Sequence, residues 1–330
     1  MRIKNFLSNV FLVFLSIIVT AILLEVGLRF SGKAPWYFIS NINEPTVNEF
    51  DEKLGWKPKS GKYIFPAHSE NGSKTTFTIL KDGNRKVSEI SKKNIEEIIL
   101  LGGSFSQGWA VDDKETYAWF LQKKFLGIKI ANYAVGGYGT YQSLLKLEEV
   151  LKKKNNIKFI IYSFLRAHED RNVADPEWLR LLTKYSKRNH VFLPYAGLDK
   201  NNKLIKRDPV KYKVLPFSDK SVVITRIQRV INKITLKVEN KKKIKTTQEI
   251  LSEINKLAIK NGSQFIFLNL ESNKNHLIPY YDFFKENKIT FFDCGFKMTK
   301  ELVVENEAHP NGKLHQLYSN CIYKNINLLK

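Results

Sequence analysis

The stretch EEIILLGGSFSQG, residues 96–108, decides how this chain folds. An uninterrupted apolar run ends in two glycines and a serine, which is typical of a strand buried on both faces that turns sharply into a helix. Four similar runs follow and alternate with helical stretches: KIANYA at 129–134, KFIIYSF at 158–164, QFIFLNL at 264–270 and TFFDC at 290–294. This alternation predicts an α/β domain with about five parallel strands and helices on both faces of the sheet.

The amino-terminal end departs from globular composition. Residues 6–24 contain no charged side chain, and nineteen residues at about 1.5 Å per residue reach nearly across the hydrocarbon core of a bilayer. The run is longer than a signal peptide's and ends in bulky side chains, so we expect an uncleaved anchor over residues 1–33, with a cleaved signal as the alternative. Arg2 and Lys4 precede it, which favours a single-pass protein of the inner (cytoplasmic) membrane with a periplasmic or extracellular body.

Two further segments accompany the sheet domain. Residues 34–94 are turn-rich and predict a small β-containing extension before the main domain at 95–330. An insertion at about 172–245 carries much of the charge, since 54 Lys and Arg against 32 Asp and Glu give +22 for the chain, and residues 200–245 alone hold 15 basic and 3 acidic residues. A solvated lysine-rich face would explain this charge, and so would an anionic lipid or an acidic glycan as partner.

The sequence also bears on nucleic acid, metals and the state of the cysteines. Nucleic acid is not expected, because the aromatic and basic motifs of the known modules are missing and the anchor places the body outside the cell. The two cysteines, Cys294 and Cys321, are too few for a cysteine-built metal site, and we expect no metal or other cofactor. A disulfide between them in an oxidising compartment and two free buried thiols are both compatible with the sequence.

Three turns that follow strands carry the residues with chemistry. Ser104 stands in the first turn, at the carboxyl end of a strand, where ligands collect in open sheets. The second turn, NYAVGGYGTYQ at 132–142, is rich enough in glycine for a backbone N–H to approach a developing oxyanion. The third, ENEAHPNG at 305–312, offers His309 as a general base. A serine needs such a base within hydrogen-bond reach to act as a nucleophile.

In this order the turns resemble the conserved blocks of the SGNH/GDSL hydrolase superfamily, over about residues 95–330. GGSFSQG resembles the block whose serine attacks an ester, which implies Ser104 as the nucleophile. NYAVGGYGT resembles the glycine block, which implies Gly137 as an oxyanion donor beside the Ser104 N–H. EAHPN resembles the last block, which implies His309 as the base and Glu307 as its orienting acid. The resemblance also implies a three-layer α/β/α, flavodoxin-like fold.

The chain departs from the family pattern at three points. Gly103 replaces an aspartate, and Asn306 stands where the commoner spacing puts the acid. The Gly-x-Asn-Asp block after the third strand is missing; the chain reads YSFLRAHEDRNVAD at 162–175. Asn172 would replace the lost oxyanion donor if this loop curls back. Other side chains of the loop that could donate or bind substrate are Arg166, His168 and Arg171.

The resemblance implies a membrane-anchored serine esterase that removes acyl groups, O-acetyl groups above all, from an extracytoplasmic glycan. Two alternatives stay open. An O-acyltransferase would use the same catalytic residues and pass the acyl group to a hydroxyl instead of water. A catalytically inactive scaffold for polysaccharide binding or assembly is favoured by the missing block, whereas the intact Ser104 and His309 favour an enzyme.

Overall fold

The computed structural model describes residues 2–36, 44–69, 72–89, 96–185 and 190–329. Its strands, in chain order, are β1 (Asn48–Asp51), β2 (Gly55–Pro58), β3 (Gly61–Phe65), β4 (Thr75–Ile79), β5 (Glu97–Gly102), β6 (Lys129–Asn132), β7 (Ile157–Phe164), β8 (His190–Leu198), β9 (Leu204–Lys213), β10 (Gln264–Glu271) and β11 (Thr290–Phe296). Its helices are α1 (Arg2–Phe30), α2 (Ser104–Gln107), α3 (Tyr117–Lys124), α4 (Thr140–Leu151), α5 (Ala167–Asn172), α6 (Pro176–Tyr185), α7 (Val222–Thr235), α8 (Asn240–Lys260), α9 (Tyr281–Glu286) and α10 (Gly312–Asn327).

A five-stranded sheet with the order β6-β5-β7-β10-β11 contains the five predicted runs. Every neighbouring pair in it is parallel. Counted from the first strand of the sheet, the order is 2-1-3-4-5, which is the flavodoxin-like order. The predicted α/β class with five parallel strands is therefore confirmed.

Both faces of the sheet are covered, as the uninterrupted apolar runs require. In β5, Ile99 and Leu101 belong to an apolar cluster that includes residues of α4, α8 and α9, whereas Ile98 and Leu100 belong to a cluster with α3 and α10. All four side chains are fully buried. The result is three layers, with the predicted turns at the carboxyl edge of the sheet.

The chain divides into two compact units, each made of three segments of the sequence. One unit comprises residues 1–40, 176–191 and 211–237, and the other comprises 41–175, 192–210 and 238–330. The extension from residue 41 onward falls in the same unit as the sheet, and Arg85 continues the sheet edge by an antiparallel bridge to Asn132. The expected boundary between residues 94 and 95 lies outside the described residues.

The insertion folds into defined elements. The strands β8 and β9 form a two-stranded sheet, and the basic helix α7 follows them. Residues 186–189 of the insertion lie outside the described part of the chain. The following helix, α8, begins at Asn240, five residues before the expected end of the insertion, and so includes several of its lysines.

The amino-terminal helix α1 extends over the apolar run. The most apolar 18-residue stretch of Phe6–Phe30 has a mean hydropathy of 2.6, and none of that stretch is buried. Among the described residues this is the one helix long and apolar enough to cross a membrane. Length and apolar composition alone do not separate a membrane span from a signal sequence, so α1 is a candidate span or signal anchor.

Candidate active site

Ser104 is the first residue of α2, directly after β5. The turn before it requires glycine, because Gly102 has φ +143° and a Cβ there would lie 2.9 Å from the Ser163 carbonyl oxygen. Ser106, later in the same helix, is buried against Ser163, whereas Ser104 is partly exposed. The nucleophile candidate therefore stands open at the carboxyl edge of the sheet.

Three side chains form a hydrogen-bonded line at this edge. His309 Nε2 lies 3.0 Å from Ser104 Oγ, and His309 Nδ1 lies 2.7 Å from Glu307 Oε2. When Nδ1–H donates to the Glu307 carboxylate, Nε2 is free to accept the serine proton. The hydrogen bond from His309 lowers the pKa of Glu307, so this carboxyl is ionised at neutral pH. The line has the geometry that a base-activated serine needs.

The loop that presents His309 closes as a tight turn. The Val304 N–H donates to the His309 carbonyl at 2.9 Å. Asn306 takes the left-handed position with φ +60°, which asparagine tolerates better than most residues, and its amide donates to the His68 carbonyl at 3.1 Å. The Phe105 ring packs edge-on against His309 with centroids 5.7 Å apart. Asn306 thus stabilises the turn, whereas Glu307 contacts the imidazole of His309.

The second glycine turn lies beside the nucleophile. A Cβ built on Gly136 would lie 3.8 Å from the Ser104 Cβ and 3.0 Å from Gln107 Oε1. The Gly136 N–H donates to that same oxygen at 2.8 Å, and Trp56 Nε1 donates to the Gly136 carbonyl at 3.1 Å. Gly137, with φ +84°, completes the turn. These contacts fix the Gly136–Gly137 backbone next to Ser104.

Asn172 is not placed to donate to an oxyanion at Ser104. Its Nδ2 donates to Thr140 Oγ1 at 3.0 Å and to Thr247 Oγ1 at 2.9 Å, and its Oδ1 accepts from the Tyr141 N–H. Both amide hydrogens are used, because the loop after β7 continues into α5 and carries Asn172 toward α4 and α8. The suggestion that Asn172 replaces the lost donor does not fit these contacts.

His168 and Arg171 stand behind the nucleophile turn. His168 is fully buried, with Nδ1 2.6 Å from Tyr162 Oη, and burial lowers its pKa well below the usual range, which keeps the imidazole neutral. Arg171 Nη1 donates to the Tyr138 carbonyl at 2.9 Å and so supports the second glycine turn. Arg166 differs from both, because it is exposed.

The same two side chains explain Gly103. A Cβ at this position would lie 2.8 Å from His168 Nε2 and 3.1 Å from Arg171 Nη1. The aspartate of the family pattern would meet a buried imidazole that cannot move freely, so glycine is required here.

Replacing Gly103 with alanine should therefore cost about 1–3 kcal/mol of stability by overpacking and should also displace Ser104. We expect a lower midpoint of urea unfolding together with reduced ester hydrolysis. Gly127 is the matched control, because a Cβ there meets nothing within 4 Å. Equal stability and activity in Gly103→Ala and Gly127→Ala would contradict the explanation.

Arg85 stands in no motif of the sequence, yet its side chain holds the backbone that follows the nucleophile turn. It is fully buried, pairs with Asp113 at 3.1 Å and donates to the carbonyls of Gly108 at 2.6 Å and Val111 at 2.8 Å. Its guanidinium also lies 3.7 Å above the Phe77 ring centroid. The extension therefore holds in place the chain that leaves α2.

Replacing Arg85 with methionine should destabilise the protein by about 3–5 kcal/mol, because Asp113 would be left buried without its counter-ion. The free energy of unfolding in urea measures this loss. Lys86→Met is the matched control, since Lys86 is partly exposed and pairs with Glu89 at 3.6 Å. A loss of unfolding free energy no larger than that of the control would show that Arg85 does not stabilise this part of the chain.

Comparison with known proteins gives only distant likenesses. No protein-family model and no curated protein matches the chain. Similar solved structures include the psychrotrophic esterase EstA of Pseudoalteromonas sp., at 13% identity and TM-score 0.43 over 71% of this chain and 98% of that one. A G-D-S-L family lipolytic protein of Desulfitobacterium hafniense, described as putative, is 10% identical, with TM-score 0.39 over 69% and 98%. AlinE4, an SGNH-hydrolase family esterase, is 13% identical, with TM-score 0.39 over 73% and 100%.

Those figures describe remote similarity and carry no information about the reaction of this chain. Among the described residues, no group of three or more His, Cys, Asp or Glu side chains could hold a metal ion.

Proposed function

We propose that this protein is a membrane-anchored serine esterase of the SGNH type. The observation that carries the proposal is the continuous line from Ser104 Oγ to His309 to Glu307, with distances of 3.0 and 2.7 Å. The three residues come from two loops about 200 residues apart in sequence, and two motifs of a known hydrolase family predict their roles. The residues that the motifs imply are the ones that these hydrogen bonds join, which supports the proposal.

The reaction proceeds through an acyl-serine. Ser104 Oγ attacks the ester carbonyl carbon while His309 Nε2 takes the serine proton, and Glu307 stabilises the resulting imidazolium. The N–H groups of Ser104 and Gly137 hold the oxyanion. The tetrahedral intermediate then expels the alcohol, which takes the proton from His309. His309 then deprotonates a water, which attacks the acyl-serine; the second tetrahedral intermediate expels Ser104 Oγ, which takes the proton back from His309, and the acid is released.

The proposed location is the outer side of the inner membrane, and the proposed substrate is an acyl ester, in particular an O-acetyl ester, of a glycan found there. Two features support this location. The helix α1 can span a bilayer. Cys294 and Cys321, which the sequence leaves open as free or paired, form a disulfide with a Cα–Cα distance of 5.8 Å, a bond that persists in oxidising compartments.

Hydrolysis of a small aryl acetate by the full chain in detergent or nanodiscs tests the proposal. We expect turnover that saturates with substrate and that depends on Ser104. Acetate released from an O-acetylated glycan would identify a hydrolase acting on that class of substrate, whereas acetyl transfer to a glycan hydroxyl would identify an acyltransferase.

A non-catalytic scaffold is the second candidate. The observation that favours it is Asn172, whose amide hydrogens are both donated to threonine hydroxyls and so leave the site without the family's side-chain oxyanion donor. Turnover equal to that of a Ser104→Ala variant, combined with binding of a polysaccharide, would favour the scaffold over the esterase.

A further inference from the structure

The helix α7 has its apolar side outward. Its exposed side chains recur at steps of three and four residues and form one stripe: Ile227 at 48% exposure, Val230 at 57%, Ile231 at 44% and Ile234 at 79%. A helix on the surface of a water-soluble protein normally turns such a stripe toward the core. Four large aliphatic side chains on one exposed face indicate that this face meets a medium other than water.

The opposite face of α7 is polar and buried. Thr225, Gln228 and Asn232 lie on it. The Trp36 N–H donates to Thr225 Oγ1 at 3.0 Å, Gln228 Oε1 accepts from a backbone N–H at 2.6 Å, and Asn232 Nδ2 donates to the Tyr212 hydroxyl at 2.7 Å. These hydrogen bonds fix the rotation of the helix, so the outward apolar stripe is a defined feature of the fold.

The start of α7 is attached to the end of the candidate membrane span. The Glu25 carboxylate of α1 accepts from Ser221 Oγ at 2.8 Å and from the N–H groups of Val222 and Val223, each at 3.0 Å. Arg29 of α1 donates to the Lys220 carbonyl at 2.7 Å. Glu25 lies five residues before the last residue of α1, which is about 8 Å along a helix axis. The helix α7 therefore begins close to where the span ends.

A row of cations lies beside the apolar stripe. Within α7 three residues are basic and none is acidic: Arg226, Arg229 and Lys233 follow one another at steps of three and four, and Lys237 comes two residues after the helix ends. Arg229 also contacts Glu177 of α6 at 3.4 Å, but its side chain remains 40% exposed. An apolar stripe next to a basic row is the pattern of helices that lie in the headgroup region of anionic membranes.

We infer that α7 is an interfacial helix that lies in the membrane surface beside α1, with Ile227, Val230, Ile231 and Ile234 among the lipid chains and its basic row at anionic headgroups. The inference rests on the membrane anchoring proposed above. The bilayer is the occupant that this geometry favours over a second copy of the chain, because the helix that carries the stripe begins close to the end of the candidate span.

Site-directed fluorescence of the full chain in nanodiscs tests the inference. Both native cysteines are in the disulfide, so a single added cysteine can be labelled with bimane without reduction. We expect lipids brominated in their acyl chains to quench a label at Ile234→Cys about twice as strongly as one at Lys233→Cys, its neighbour on the basic row. Quenching at position 234 should also be stronger in phosphatidylglycerol than in phosphatidylcholine bilayers.

A label at Val13→Cys, in the apolar part of α1, separates the possible failures. Quenching at position 13 with none at position 234 would overturn the interfacial helix and leave the anchor intact. No quenching at position 13 would overturn the anchor and the inference with it. A disulfide between two chains through position 234, without quenching, would show that a second copy covers the stripe. Aryl acetate hydrolysis by the same samples reports separately on the proposed esterase.

Discussion

Replacing Ser104 with alanine should lower kcat for an aryl acetate by a factor of about 10⁴ or more. The reason is that the hydroxyl 3.0 Å from His309 Nε2 is the atom that attacks the ester, and no other serine has this contact among the described residues. Steady-state hydrolysis by the full chain measures the loss. The double variant with His309→Ala should be no slower than Ser104→Ala alone, because the two residues act as one unit.

Ser106→Ala is the matched control for this prediction. Ser106 lies two residues away in the same helix, and its hydroxyl bonds to Ser163, away from His309. We expect the control to keep activity within about tenfold of the parent, since only a supporting hydrogen bond is lost. A Ser104→Ala variant that hydrolyses ester as well as this control would remove Ser104 from the mechanism.

Replacing Glu307 with glutamine should lower kcat by about 10³–10⁴. An amide at this position can hold the imidazole in the wrong tautomer and cannot offset the charge of the imidazolium. Glu307 forms the 2.7 Å contact to His309 Nδ1, and that contact lowers its pKa, so the negative charge is present at neutral pH. Activity measurements at pH 7 and circular dichroism, to establish that the variant is folded, test the prediction.

Glu305→Gln provides the matched control, because Glu305 is exposed and is the other acid that the sequence offers near His309. It should leave kcat unchanged. Adding Asn306→Asp to Glu307→Gln should not restore activity, since the Asn306 side chain faces the His68 carbonyl. A larger loss from Glu305→Gln than from Glu307→Gln would reassign the acid.

The sheet was predictable because its strands are buried on both faces. Apolar runs such as residues 98–101 can be recognised without knowing which strands they pair with. The helices between the runs then require the strands to be parallel. The meeting of Ser104 with His309 follows from the same topology, because both lie in loops at the carboxyl edge of the sheet. Long sequence separation is no obstacle when the fold places two loops at one edge.

The supports of the site were not predictable. Arg85 and Trp56 act through backbone carbonyls far away in sequence, and neither stands in a motif. Asn172 has a plausible residue type and position, but the loop after β7 becomes a helix and turns its amide toward Thr140 and Thr247. Hydrogen bonds of this kind depend on tertiary placement, which residue order alone does not specify.

The partner of the basic insertion could not be predicted from composition either. The excess of lysine and arginine indicates an anionic partner, but many partners fit it. The buried Thr225, Gln228 and Asn232 determine which side of α7 faces outward. The exposed apolar stripe can be recognised only when this buried side is known.

Labelling the full chain with a fluorophosphonate, followed by mass mapping of the modified peptide, tests whether Ser104 is the activated nucleophile. The reagent reacts with a serine that a neighbouring base activates, and it does not react with a serine whose role is only structural. We predict one adduct, on Ser104, and at least a hundredfold slower labelling in the His309→Ala variant. An adduct on another residue, or no adduct on a folded protein, would contradict the assignment of Ser104, His309 and Glu307 as a catalytic triad.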